Sequence, residues 1–242
     1  MANLIVEIGN TALKAALSEG ITLGKTFRYQ GEKKIDYIIS LVQREIPSVL
    51  TVASVVPVTP AEEKILRDSC SKLIILDSAH KAPADYFKVP EYLGYDRAAS
   101  IIAARYLFKG KPCTIVDCGT TLSFDFIDSE GKYLGGNISL GCRTRFKALN
   151  RYSKVLPLLE TPQNIDETGC SLESSVESGI ITGIIFEIEG YLSRFPENTV
   201  IFTGGDAIYF VKRLKNSIFA VCNLVLMGLA LITDEYVEKN LQ

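Results

Sequence analysis

Apolar residues enter the chain as a short run, Leu4-Ile5-Val6, which Glu7, Ile8 and Gly9 bring to an end. A second run alternates apolar and polar positions over residues 12–17, and a third extended run covers residues 21–29. The turns Gly9-Asn10-Thr11 and Ser18-Glu19-Gly20 separate them, so the pattern predicts three antiparallel strands in a meander. The same order returns in the second half. Thr114-Ile115-Val116-Asp117-Cys118-Gly119-Thr120-Thr121 reads against Leu4 to Thr11, residues 122–127 alternate again, and Ser129-Glu130-Gly131 precedes an extended run over 132–138. Three successive matches in step mark an internal repeat.

Helical periodicity follows each meander. In the first half it predicts helices over 34–45, 60–69 and 95–108, with strands at 49–55 and 73–76. In the second half it predicts helices over 142–150, 172–195, 207–214 and 222–239, with strands at 199–203 and 217–220. Helices alternating with strands after a meander give an α/β layer with a partly parallel sheet. The expected organisation is therefore two similar α/β domains facing a cleft, residues 1–110 and 111–242, jointed at Gly110-Lys111-Pro112.

Composition narrows the function classes. With 242 residues, 47% apolar and 22% charged, the chain is an ordinary globular one. A net charge of −2 provides no sequence-wide basic field for nucleic acid or an acidic membrane. The apolar stretch 218–232 is interrupted by Asn223 and Gly228 and is too short to span a bilayer. No basic signal region opens the chain, so a soluble cytoplasmic protein without a membrane partner is expected. Six cysteines, Cys70, Cys113, Cys118, Cys142, Cys170 and Cys222, form no CxxC pair and read as small buried apolar groups of a reducing compartment. His80 is the single histidine and reads as a loop residue, which disfavours zinc and Ser-His or Cys-His chemistry.

The doubled glycine turns carry the chemistry. Gly9 and Gly119 let backbone N–H groups approach an anion, and Asn10, Thr11, Thr120 and Thr121 add side-chain donors. Lys14 can reach the same oxygens as a point charge. Glu7 and Asp117, at the strand ends, suit a hydrated Mg²⁺ that bridges phosphates. A third turn, Thr203-Gly204-Gly205-Asp206, opens a helix and would face the base and ribose of a nucleotide. The alternative is a pair of plain hairpin turns, which would not need these charges.

Gly94-Tyr95-Asp96-Arg97 is the point at which the chain resembles a known family, the type III pantothenate kinases of the acetate and sugar kinase, Hsp70 and actin superfamily. Residues 7–14 (EIGNTALK) are similar to its first phosphate motif, 94–97 to its G-x-D-R motif, and 117–123 to its second phosphate motif. Gly135-Gly136-Asn137-Ile138 with Gly141, Ser178-Gly179-Ile180, Gly204-Gly205-Asp206 and Gly228-Leu229 continue the family's motif order. The resemblance implies duplicated actin-like (ribonuclease H-like) ATPase domains. It also implies ATP-dependent phosphorylation of pantothenate to 4'-phosphopantothenate, the first step of coenzyme A biosynthesis. Asp96 is then the general base, a weak one that orients the hydroxyl and accepts its proton late. Gly94, Tyr95 and Arg97 bind the acceptor, Arg97 pairing with its carboxylate or with phosphate. Local sequence alone also allows Asp96-Arg97 to be a helix-terminal acid beside a surface arginine. The resemblance further implies a monovalent cation, K⁺ or NH₄⁺, at Asp117, ATP contact by Thr120, and a homodimer whose acceptor pocket is completed at the subunit interface.

Departures from the family pattern are specific. Glu7 stands for Asp, which moves the carboxylate by about 1.5 Å, one carbon–carbon bond; water-mediated Mg²⁺ would tolerate that. Phe87 aligns with a substrate-contacting Tyr and Leu172 with a substrate-contacting Thr, with Tyr86, Tyr92 and Ser171 nearby. Thr121, Ser123 and Leu140 stand for Ala, Thr and Pro. Losing two polar contacts would weaken acceptor binding about tenfold to a hundredfold. The sequence is read as an active kinase. The alternatives are a weakened, nucleotide-binding regulatory protein resembling accessory transcriptional activators, or a kinase for another small hydroxy-acid. The basic cluster Arg143, Arg145, Lys147 and Arg151 is read as the solvated face of a helix, with Phe146 and Leu149 on the other face, so no nucleic-acid partner is expected.

Overall fold

The computed structural model describes residues 2–80 and 88–240. In the first half, β1 (Asn3–Ile8), β2 (Leu13–Glu19) and β3 (Thr22–Tyr29) form the meander; α1 (Lys34–Glu45), β4 (Leu50–Ser54), α2 (Pro60–Ser69), β5 (Leu73–Leu76) and α3 (Tyr95–Leu107) follow. The second half repeats this with β6 (Cys113–Cys118), β7 (Thr121–Ile127) and β8 (Tyr133–Leu140). It continues through α4 (Cys142–Tyr152), α5 (Leu172–Arg194), β9 (Thr199–Thr203), α6 (Ala207–Val211), β10 (Ile218–Ala220) and α7 (Leu224–Asn240).

The repeat read from the sequence is a repeat of topology. One sheet has the order β3-β2-β1-β4-β5 and the other β10-β9-β6-β7-β8, the same order when read from its opposite edge. In each, the first strand pairs antiparallel with the second and parallel with the fourth. Both outer pairs, β2 with β3 and β7 with β8, also break register near their far ends. The strands obey the pleat. Leu4 and Val6 of β1 join Leu50 and Val52 of β4 in one fully buried cluster with Ile38, Leu41 and Leu66 of α1 and α2. Ile5 and Ala53 point the other way, into a cluster with α3 and α7. A strand buried on both faces reads as a continuous apolar run, which is what residues 4–6 show.

Two compact units divide the chain, one of Met1–Leu107 with Asn223–Gln242, the other of Phe108–Cys222. The joint expected at residue 110 lies close to the crossing at 107, but α7 belongs to the first unit rather than to residues 111–242. Its packing explains why. Gly228 lies so close to α3 that a Cβ there would collide with the Ala99 backbone, and the small residues Ala98, Ala99, Ala103 and Ala104 make α3 narrow. Thr233 of α7 also hydrogen-bonds Thr51 of β4 at 2.7 Å, with both residues fully buried. In the second unit, Phe124 and Phe126 of β7 pack with Phe146 of α4 and Ile180, Ile181, Ile184 and Ile188 of α5. Each such buried side chain contributes roughly 1.5–3 kcal/mol against exposure. Among the described residues no helix is long and apolar enough to cross a membrane.

Candidate functional site

In the first unit β1 ends at Ile8 and β2 begins at Leu13, so Gly9, Asn10, Thr11 and Ala12 form the loop. Gly9 N–H donates to the Ala12 carbonyl at 3.0 Å, and this tight closure leaves Asn10 and Thr11 exposed at the tip. The register sets Glu7 directly opposite Lys14. Their charged ends are 3.6 Å apart, an ion pair too long for a hydrogen bond, with the Glu7 side chain 14% exposed and Lys14 32%. Glu7 Oε2 is buried and accepts no hydrogen bond. Burial pushes the Glu7 carboxyl above its usual range, Lys14 opposes this, and the nearby charge of Asp96 adds to it. An acceptor-only oxygen without a donor, beside a second carboxylate, fits a hydrated divalent cation. A residue that sequence reasoning missed, Lys34, donates from Nζ to the Gly9 carbonyl at 3.1 Å.

Asp96 lies in the first turn of α3, where the free N–H end of the helix favours an anion. Gly94 accepts the first helical bond, from Ala98 N–H at 2.9 Å. Asp96 Oδ1 takes the Arg97 N–H at 2.8 Å. A Cβ at Gly94 would lie 2.6 Å from that oxygen, so the glycine is what lets the carboxylate fold back. Tyr95, expected to contact substrate, donates its hydroxyl to the His80 carbonyl at 2.7 Å. His80 is in turn fixed by fully buried Asp77, whose carboxylate accepts from Val58, Ala79 and His80 N–H and faces His80 Nδ1 at 2.8 Å. Those hydrogen bonds outweigh desolvation and hold the Asp77 carboxyl below its usual range. A cavity of about 370 Å³ opens here, lined by Ser54, Val55, Asp77, Pro90, Gly94 and Tyr95 among others. Phe87 lies outside the described residues.

The second unit builds the equivalent loop one residue shorter. Cys118 pairs with Leu122 where Ile8 pairs with Leu13, and Gly119 N–H closes on Thr121 O at 3.0 Å. Thr120 and Thr121 are exposed. The register sets Ser123 opposite Asp117, where the first unit has Lys14, and Thr203 of β9 on its other side. Two segments buttress this loop. Gly141 N–H and the Thr144 hydroxyl both donate to the Thr120 carbonyl, at 3.1 and 2.6 Å. Asp206 N–H donates to Cys118 O at 2.9 Å. Gly204 has φ +92° and runs so close that a Cβ would collide with Asp117 Oδ1 and reach the Cys118 carbonyl at 2.5 Å. Gly205 is exposed beside it. Gly119 and Gly204 thus both pass close to the Asp117 carboxylate. Leu172 is the first residue of α5, half exposed, next to the N-cap Ser171.

The basic cluster differs from its expected form. Arg145 is not solvated: its guanidinium pairs with Glu187 of α5 and holds the Leu140 carbonyl and Ser139 of β8. Cys113, Cys118 and Cys142 are buried as expected, but Cys170 and Cys222 are exposed.

Residues 3–194 match the family model for type III pantothenate kinase. A type III pantothenate kinase of Phocaeicola vulgatus is 36% identical over 236 residues, covering 94% of this chain and 96% of that one. Among solved structures, a chain from Campylobacter jejuni, provisionally described as a conserved Baf family transcriptional activator, superposes with TM-score 0.65 at 20% identity. The superposition covers 97% of this chain and 99% of that one. The ROK hexokinase of Thermus thermophilus superposes with TM-score 0.55 at 11% identity over 99% and 100% of the two chains. Those two likenesses are likenesses of fold, the duplicated actin-like ATPase fold. With the ordered motifs on their loops and most of the chain matched, this protein belongs to the type III pantothenate kinase family, a family of phosphotransferases.

Proposed function

We propose that this chain transfers the terminal phosphoryl group of ATP to the primary hydroxyl of pantothenate, giving 4'-phosphopantothenate at the entry to coenzyme A biosynthesis. The observation that carries the reading is the Asp96 carboxylate. It is folded onto Gly94 at the start of α3, beside a cavity of about 370 Å³ and within the field of Glu7 on the first phosphate loop. Among the described residues, the Asp96 oxygen not taken by Arg97 N–H has no hydrogen bond and is available to accept the hydroxyl proton. An ionised aspartate acts here mainly by orienting the nucleophile, because phosphoryl transfer depends on positioning and charge neutralisation.

Asn10, Thr11 and Lys14 on the first loop, and Thr120 and Thr121 on the second, would supply donors for phosphate oxygens, while the N–H groups of Gly9 and Gly119 close the two turns that present them. Gly204 and Gly205 form the surface for the base and ribose. Mg²⁺, when bound with the nucleotide, neutralises charge on the transferring group. Glu7 would hold it through water, and its undonated oxygen supports that role. Asp117, approached closely by Gly119 and Gly204, would hold K⁺ or NH₄⁺. Gly94 and Arg97 would bind the acceptor and, in a cytoplasmic homodimer, Leu172 would help to complete its pocket.

The test is ADP release from Mg·ATP with and without pantothenate, in K⁺ and in Na⁺ buffers. Pantothenate-dependent release, faster in K⁺, is expected, and Asp96→Asn should abolish it while nucleotide still binds. A folded wild type that hydrolyses or binds ATP but ignores pantothenate would overturn the assignment of the acceptor.

A further inference from the structure

We propose that Lys34 is a further phosphate-binding residue, an ammonium that locks the first loop and contacts the terminal phosphates of the nucleotide; the inference rests on the phosphoryl-transfer reading above. Three observations bring Lys34 to the loop. Tyr29, at the end of β3, pairs with Leu13 just beyond the loop. Its ring stacks on Tyr37 of α1 with centroids 4.5 Å apart and planes 9° off parallel, which holds the first turn of α1 beside the loop. Lys34 is the first residue of that helix, partly buried, and its Nζ donates to the Gly9 carbonyl at 3.1 Å. With Gly9 N–H already on Ala12 O, both peptide groups of Gly9 are then fixed.

The charge is in an unfavourable place for the helix alone. The N-terminus of α1 carries Lys33 and Lys34 in succession against a single acid, Asp36, no side chain caps it, and the positive end of the helix disfavours cations. A single carbonyl is a weak reason to immobilise a long cationic side chain. Lys14 is set against Glu7, whereas among the described residues no carboxylate pairs with Lys34, and one carbonyl accepts only one of its three N–H groups. The remaining donors suit a polyanion at the loop, and the terminal phosphates of a nucleotide supply one.

The test compares ligands that differ only in phosphate number. Binding of the Mg²⁺ complexes of ADP and of the non-hydrolysable imido analogue of ATP, and of AMP, is measured by calorimetry on the full chain and on Lys34→Met, Lys34→Gln and Lys34→Arg. The neutral variants should bind the triphosphate analogue at least tenfold more weakly and AMP unchanged, and Lys34→Arg should regain most of the loss. In turnover, KM for ATP should rise while KM for pantothenate stays within twofold. Unchanged triphosphate binding, or an equal loss for AMP and the analogue, would overturn the proposal, the second result assigning Lys34 to loop structure alone. A wild type that binds the analogue without pantothenate-dependent turnover removes the acceptor assignment and leaves the binding comparison to decide Lys34.

Discussion

Replacing Glu7 with Gln separates what this residue does for folding from what it does for the reaction. The carboxylate is 14% exposed, and Oε2 is buried without a hydrogen bond. Leaving a buried acceptor unsatisfied costs about 1–3 kcal/mol. Lys14, 3.6 Å away and 32% exposed, offsets that by about 1 kcal/mol at most once solvent screening is counted. Net, the ionised carboxylate strains the ligand-free protein by about 1 kcal/mol, and a neutral amide of the same length, though still an unpaired polar group, removes the buried charge. For a chain of this size the relief corresponds to roughly 2–4 °C in Tm. The pH dependence has a definite sign. Because burial raises the folded pKa of Glu7 above the unfolded value, the folded state binds the proton more tightly. The penalty is therefore present above the folded pKa and disappears as pH falls through it. Calorimetric melting of the wild type and Glu7→Gln without nucleotide should show the variant more stable at pH 7, with the gap closing as the pH falls and Glu7 takes up its proton. Pantothenate-dependent ADP release should fall at least a hundredfold in the same variant. A variant that melts lower than wild type at pH 7 would refute this reasoning and make Glu7–Lys14 a stabilising ion pair.

Other substitutions test single contacts. Gly94→Ala places a methyl 2.6 Å from Asp96 Oδ1; turnover should drop at least tenfold with nucleotide affinity unchanged, and unaltered turnover would show that the folded-back carboxylate is dispensable. Tyr95→Phe removes a donor whose proton is on the His80 carbonyl, so it should cost about 1 kcal/mol of stability and change KM for pantothenate less than threefold. A loss of a hundredfold would return the hydroxyl to the substrate. Gly119→Ala brings a methyl to 3.5 Å from Asp117 Oδ1, an ordinary contact, whereas Gly204→Ala combines φ +92° with a backbone collision. The first should keep the wild-type Tm within about 2 °C and lower the ratio of K⁺ to Na⁺ activity at saturating ATP. The second should unfold at markedly lower urea, and a preserved K⁺ preference in Gly119→Ala would remove the cation from Asp117.

Much of the fold was legible because the meander has a period of two and is written twice, in step, with acids and glycines at the same offsets. Helical periodicity likewise placed α2 at 60–69, and the structure caps it with a Thr59–Glu62 capping box. The misplaced element is α7. Its run Leu224 to Ile232 is apolar on nearly every side, so periodicity shows a buried helix but gives no direction for its partner. The close approach of Gly228 to Ala99 and the buried Thr233–Thr51 hydrogen bond show that it returns to the first unit. At the site, loop chemistry was readable from residue type, whereas long-range pairings were not. Lys34 is 25 residues from Gly9, Tyr95 is 15 from His80, and Arg145 is 42 from Glu187. Each pairs a side chain with a group that no local pattern identifies.

The two loops show how a duplicated frame takes on two tasks. Their strands are register-equivalent, so differences at matched positions carry the specialisation. Opposite the acid on the meander side stand Lys14 in one unit and Ser123 in the other; on the parallel side stand Ala53 and Thr203. The next residue is Ser54 in the first unit, at the cavity, and Gly204 in the second, pressed on Asp117. A cation held near Glu7 would share the carboxylate with the Lys14 ammonium. Direct coordination would set two positive charges at one oxygen pair, and a longer acid holding a hydrated ion at a distance avoids that repulsion. An ion held through water would tolerate the longer acid, so Glu7 does not by itself mark the chain as degenerate.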